Sequence, residues 1–267
     1  MAIARTGTAP PQFRAALASD QPLFGAWLQL ESPLVAEAIG HVGFDWVGID
    51  TQHGMIGYTG MLSMLQALAI SGTPSIVRVS TNDQGAIGRA LDSGAHGVIV
   101  PLIESADAAA RAVAACRYPP DGVRSWGPIR PSLADPGVGV RDGDMRAACI
   151  VMVETRAGVE HVEEIARVPG VDGILVGPAD LGISLGGSPG ETLTSEVNDA
   201  SVREIARACR DAGVAMGSLA PSPQRVDEYV RAGCRFVAAH RDLQSMMTAA
   251  VDALTVARGT STRPSGP

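Results

Sequence analysis

A chain of 267 residues, 46% hydrophobic, can bury a sizeable core, and its formal charge of −7 argues against a nucleic-acid surface. No apolar run approaches the roughly 20 residues of a membrane span, and no basic start followed by a long apolar stretch opens the chain, so neither a membrane segment nor a secretory signal is expected. All 21 basic residues are arginine; with no lysine, a lysine Schiff base and any lysine general base are excluded.

Residues 1–12 are small, polar and proline-containing, and read as a flexible tail. Phe24 to Leu30 reads as a first strand. A helix opens at Pro33, a favoured first-turn position, and runs to about His41. Val47-Gly48-Ile49 is a second, buried strand that ends abruptly in Asp50, Gln52 and His53. Met61, Met64, Leu65 and Leu68 then fall at i, i+3, i+4 and i+7, an amphipathic helix. Ser75 to Val79 is strand three and carries Arg78. Asn82-Asp83 caps a helix to about Ser93, and Gly94 ends it. Val98 to Pro101 is strand four, and Ala109, Ala112, Val113 and Cys116 mark the next helical face.

Residues 118–147 break this rhythm. They are rich in proline, glycine and arginine, and so long an irregular segment is expected to be a lid or binding loop. Ala148 to Val153 is strand five, ending in Glu154, with a helix from about Gly158 to Val168. Gly173 to Gly177 is strand six, ending at Pro178-Ala179-Asp180, with a glycine-rich loop over 182–190. Ile205 to Ala212 lies in a longer helix, Val214 to Met216 is strand seven, and Val226 to Val230 is helical. Phe236 to Ala239 is strand eight, ending at His240, and a last helix spans about Asp242 to Val256.

Eight strand–helix units in one chain of this length predict a (β/α)8 barrel over residues 13–258, with a disordered tail from 259 to 267. An open doubly wound sheet is the other candidate, but no G-x-G-x-x-G follows strand one. The four cysteines, Cys116, Cys149, Cys209 and Cys234, have no C-x-x-C spacing and suit buried thiols in a reducing, cytoplasmic setting.

A barrel places its active site at the carboxyl ends of its strands. The polar residues there are Asp50, Gln52, His53, Arg78, Glu154, Asp180 and His240. Glu154 and Asp180, on adjacent strands, would repel each other unless a divalent cation such as Mg²⁺ or Mn²⁺ lay between them. Alternatively Glu154 pairs with Arg156 and Asp180 caps a turn. Arg78 suits a carboxylate or an oxyanion, or else an internal salt bridge. His53 is a candidate acid/base, oriented by Asp50 or Asp92, or else a structural histidine.

These stretches resemble the HpcH/HpaI aldolases, metal-dependent class II pyruvate aldolases, from about Phe24 to Val256. The motifs are Gly43-Phe44-Asp45-Trp46, Asp50-Thr51-Gln52-His53-Gly54, Val77-Arg78, Arg117 to Arg124, Val153-Glu154-Thr155-Arg156 and Val176 to Leu181. The resemblance implies an enzyme that cleaves 4-hydroxy-2-oxo acids to pyruvate and an aldehyde. It implies that Glu154 and Asp180 hold a divalent metal (Mg²⁺, Mn²⁺ or Co²⁺). Arg78 would stabilise the enolate, and His53, paired with Asp92, would be the acid/base. Ala179 and Asp180 amides would bind the pyruvate carboxylate, and Gln52 and Trp27 would complete the substrate contacts. It also implies a homo-oligomer, a trimer or hexamer, with the last helix exchanged between copies. Three positions depart from the family pattern: Gln52, often glutamate; Met152, glutamine in some members; and His240, where a small residue is usual. An acyl-CoA lyase of the citrate-lyase β type, using the arginines of 117–141 for the CoA phosphates, and a non-catalytic keto-acid-binding barrel are the other readings.

Overall fold

A computed structural model describes residues 13–261. The expected tail at 1–12 lies outside the described residues, as does most of the tail expected from 259; residues 259–261 instead continue the last helix.

Eight strands, each four to six residues long, form the barrel: β1 (Leu23–Leu28), β2 (Trp46–Asp50), β3 (Ser75–Arg78), β4 (Gly97–Val100), β5 (Ala148–Val153), β6 (Gly173–Val176), β7 (Ala215–Leu219) and β8 (Phe236–Arg241). All pair parallel with their sequence neighbours, and β8 closes on β1. A parallel strand needs a crossover to return the chain to its starting face. The helices supplying most of these are α2 (Pro33–Gly40), α3 (Tyr58–Ser71), α4 (Gln84–Asp92), α5 (Ala106–Cys116), α8 (Arg156–Glu160), α9 (Val162–Ala166), α11 (Glu196–Ala212) and α12 (Val226–Arg231). The last helix is α13 (Asp242–Ser261). The helix expected over 158–168 is thus two short ones, broken at His161.

The sequence pattern missed two short helices, α1 (Phe13–Leu17) and α10 (Pro178–Ser184). The first closes the barrel floor: the Phe13 ring sits 5.9 Å from Trp46 and 6.5 Å from Phe236, which begin β2 and β8. Inside the barrel these aromatics join Trp27, Ile76, Ile99, Ile150, Met152 and Leu175 in one apolar cluster, while a second cluster fills the layer between strands and helices. Period-two alternation divides the strands between the two, with an irregularity near the end of β8.

Residues 118–147 are not irregular throughout. They form α6 (Ile129–Ala134) and α7 (Val140–Arg146). They join the end of α5 to the start of β5, and both lie at the face where strands begin. The segment therefore packs under its own barrel, against α4 and the Ser75 and His96 region, and is no lid over the mouth of its own chain.

Candidate active site

One side of the mouth is built on Asp50. Arg78 stands in register with it across the β2–β3 ladder. The guanidinium donates from Nε to Oδ1 at 2.9 Å and from Nη2 to Oδ2 at 2.6 Å, a two-pronged, charge-assisted pair. Trp27 Nε1 and Gln29 Nε2 donate to Oδ2 at 3.3 and 3.4 Å, and the amides of Gln52 and His53 donate to Oδ1 at 3.1 Å. Burial pushes the Asp50 carboxyl up. The Arg78 hydrogen bond and charge, with the two amides, outweigh that and hold it below its ordinary range. The internal salt bridge considered for Arg78 is therefore present. Among the described residues it leaves Nη1 without a strong acceptor: that nitrogen meets the Met152 sulfur, at 3.9 Å, a weak acceptor.

The other side is acidic. Glu154 follows β5 directly and is buried. Its Oε1 accepts the Leu102 N–H at 2.9 Å, rather than pairing with Arg156. Leu102 adopts φ 55°, a left-handed conformation that is uncommon outside glycine and that concentrates at functional sites. Gly177 lets the carboxylate sit where it does, because a Cβ there would lie 2.5 Å from Glu154 Oε2. Burial above all, joined by the charge of Asp180, raises the Glu154 carboxyl to about 6, against the lowering effect of the Leu102 amide and Arg78. Asp180 lies in the first turn of α10 and is exposed.

A cavity of about 210 Å³ joins the two sides. That is below the usual range for drug-sized ligands and suits a small acid. Trp27, His53, Arg78, Ala179 and Asp180 line it, together with Gln29, Met152, Gly177, Pro178, Leu219 and Arg241. Glu154 sits behind Gly177. Gln52 does not line the cavity, and its buried amide oxygen has no hydrogen-bond partner among the described residues.

Two further expectations change. The His53–Asp92 pair does not form within the chain. Helix α4 runs back from the mouth, so its last residue, Asp92, lies at the strand-starting face, where it accepts from Arg124 Nη2 at 2.7 Å. His240 does not enter the central cavity; its ring packs 5.8 Å from Phe44, with Nδ1 3.2 Å from Ser245 Oγ. Sequence reasoning also missed Gln29, Leu219 and Arg241. Gln29 carried the same signal as Gln52, a polar residue just past a strand end. A second, more apolar cavity of about 230 Å³ lies under Trp126 at the opposite face, away from the carboxylates.

Among the described residues no group of three or more His, Cys, Asp or Glu could hold a metal. The donor set at the mouth is therefore two carboxylates with open positions. That arrangement suits a hard cation that keeps water or binds substrate oxygens, and it does not suit a closed zinc site.

A model of the HpcH/HpaI aldolase/citrate lyase family matches residues 23–249. The chain is 36% identical over 241 residues to the 2-dehydro-3,6-dideoxy-6-sulfogluconate aldolase of Pseudomonas putida, covering 88% of this chain and 92% of the relative. It is 37% identical over 243 residues to the hydroxypyruvate/pyruvate aldolase of Delftia acidovorans, covering 90% and 89%. An HpcH/HpaI aldolase/citrate lyase family protein from Burkholderia cenocepacia has a crystal structure that superposes with a TM-score of 0.84 at 34% identity, covering 92% and 98%.

Proposed function

The chain belongs to the HpcH/HpaI aldolase/citrate lyase family, and from that premise we propose that it is a divalent-metal-dependent aldolase that reversibly cleaves 4-hydroxy-2-oxo acids to pyruvate and an aldehyde. The observation that carries this reading is the Glu154–Asp180 pair: Asp180 lines one small cavity with Arg78, and the buried Glu154 carboxylate lies directly behind its Gly177 wall. The negative charge of Asp180 beside the buried Glu154 carboxyl makes this a site short of positive charge.

Glu154 and Asp180 would hold Mg²⁺, Mn²⁺ or Co²⁺. Once bound, the cation supplies a Lewis acid beside the keto oxygen. Arg78 Nη1 places a second positive charge where negative charge develops, and its hold on Asp50 fixes that position before substrate arrives. The amides of Ala179 and Asp180 bind the keto-acid carboxylate, and Trp27 forms a wall beside it. His53 takes the proton from the hydroxyl during cleavage and returns it during addition; its backbone is pinned by Asp50. With no lysine in the chain, Schiff-base activation has no nucleophile.

An Asp92 partner for His53 must come from a second copy, since the two lie on opposite faces of one barrel. Helix α13 agrees with such an assembly: Leu243, Met246, Met247, Val251, Leu254 and Val256 are exposed in the single chain. A trimer or hexamer with α13 exchanged would cover this apolar face. Four buried free thiols suit a reducing, cytoplasmic setting, and no helix among the described residues is long and apolar enough to cross a membrane. Two of the arginines that an acyl-CoA substrate would need are engaged at the strand-starting face: Arg117 with Asp172 and Arg124 with Asp92.

The test is carbon–carbon bond formation. Purified protein is incubated with pyruvate and an aldehyde, with each metal or with EDTA, and the product is followed by NMR. Metal-dependent formation of a 4-hydroxy-2-oxo acid supports the reading. No product with Mg²⁺, Mn²⁺ or Co²⁺ across a panel of aldehydes refutes it.

A further inference from the structure

Strand β8 does not alternate cleanly. Phe236 and Ala238 point into the barrel, and period two would send His240 inward next. The ladder with β1 slips instead: Gly25 pairs with Ala238, but Ala26 pairs with His240 and Trp27 with Arg241. One residue is skipped, and every side chain beyond it changes face. Irregularities of this kind re-aim side chains next to active sites. His240 is turned out onto Phe44, and Arg241 is turned in beside Trp27, into the cavity that holds His53, Arg78 and Asp180.

Arg241 arrives there without a counter-ion. Its Nε is buried with no hydrogen-bond partner, and it forms no ion pair among the described residues. The neighbouring acid cannot serve: Asp242 is occupied by the amides of Gln29, Leu30 and Leu243. Asp50 is taken by Arg78. Burial, together with the positive charge of Arg78, pulls the Arg241 guanidinium below its ordinary range, as expected of a cation short of compensation. Arginine inside a protein is rarely left unpaired, and its planar fork matches a carboxylate.

Its position identifies which end of a substrate it meets. Glu154 and Asp180 follow β5 and β6, Arg78 ends β3 and His53 follows β2, so the keto-acid half lies towards that arc. Arg241 ends β8, beside Trp27 of β1, where this cavity meets the outer one, so a substrate too long for the first cavity meets it with its far end. It also borders a further cavity of about 300 Å³ that opens outward between α13 and the loop after β7, lined by Ser222, Gln224, Gln244 and Ser245.

Resting on the aldolase reading above, we propose that Arg241 determines acceptor specificity by binding a carboxylate at the far end of the aldehyde, so that the natural acceptor is an aldehyde acid. The probe pair is 4-oxobutanoate and butanal, which differ at that end alone. The wild-type protein favours 4-oxobutanoate in kcat/KM, and Arg241→Met lowers that preference by about tenfold or more, the size of one charged hydrogen-bonded contact. Arg241→Lys, which keeps charge but loses the fork, falls between the two. Exchange of pyruvate methyl protons in D2O is followed in parallel for each variant and reports both folding and the keto-acid half of the site. A preference near one in the wild type, or one untouched by Arg241→Met, overturns the proposal. So does an equal loss on both acceptors with a raised KM for pyruvate, which would move the guanidinium to the keto acid's own carboxylate. Absence of pyruvate exchange in the wild type is a separate failure, that of the aldolase reading itself.

Discussion

Replacing Asp50 by asparagine tests the structural base of the site. Asp50 is fully buried and accepts from Arg78, Trp27, Gln29 and two backbone amides. The amide keeps the shape but removes the charge that neutralises Arg78, itself only 6% exposed. Breaking a buried pair by removing one partner costs about 3–5 kcal/mol. For a chain of this size each kcal/mol lowers the melting temperature by about 2–4 °C, so a fall on the order of 10 °C is expected. Thermal and urea unfolding followed by circular dichroism measure it.

The same argument fixes what happens when both partners go. An Asp50→Asn, Arg78→Met double variant no longer carries an uncompensated charge, so it should be no less stable than Asp50→Asn alone. The pH sign follows from the depressed Asp50 carboxyl. Its contribution is present above the ordinary value of 3.8 and is lost as pH falls through the folded value, so the gap between wild type and variant closes in acid. A loss below about 1 kcal/mol, or additive losses in the double variant, would refute the reasoning.

Other outcomes follow from the acidic side. With its folded pKa raised from 4.5 to about 6, Glu154 destabilises the metal-free protein by about 2 kcal/mol above pH 6, and this penalty disappears below 4.5. Glu154→Gln should therefore stabilise the EDTA-treated protein at pH 8 and not at pH 4, while abolishing metal binding by calorimetry; a variant no more stable at pH 8 contradicts the assignment. In the wild type, metal affinity should fall as pH drops below about 6, because the cation must displace that proton. Gly177→Ala puts a Cβ against Glu154 Oε2 and should weaken metal binding with little loss of secondary structure. Unchanged affinity would show that the carboxylate does not need its position behind Gly177.

The barrel is legible in the sequence because each strand is a short apolar run ending in punctuation. Val47 to Ile49 before Asp50, and Ala148 to Val153 before Glu154, needed no partner to be read. Arg78, Glu154, Asp180 and His53 were legible for the same reason, as polar residues placed just past such runs. What was hidden depends on non-local geometry. The β8 slip against β1 exchanges His240 for Arg241 in the cavity, and no pattern within β8 announces it. The 118–147 segment reads as a lid by composition, but its place between α5 and β5 fixes it to the opposite face. Helix α1 is too short for periodicity to show, and its Phe13 has meaning only beneath Trp46 and Phe236. Asp92 can meet a His53 only by crossing to another copy, which one chain's sequence does not specify.

The central claim is that a dicarboxylate-held cation and Arg78 together stabilise the enolate of pyruvate. Exchange of the pyruvate methyl protons with D2O, followed by NMR in the absence of any aldehyde, measures that step alone. The account predicts exchange that EDTA stops and that added Mg²⁺, Mn²⁺ or Co²⁺ restores. It also predicts a rate about 10²–10³-fold lower in Arg78→Met. Exchange that persists in EDTA, or that proceeds at the full rate without Arg78, would contradict it.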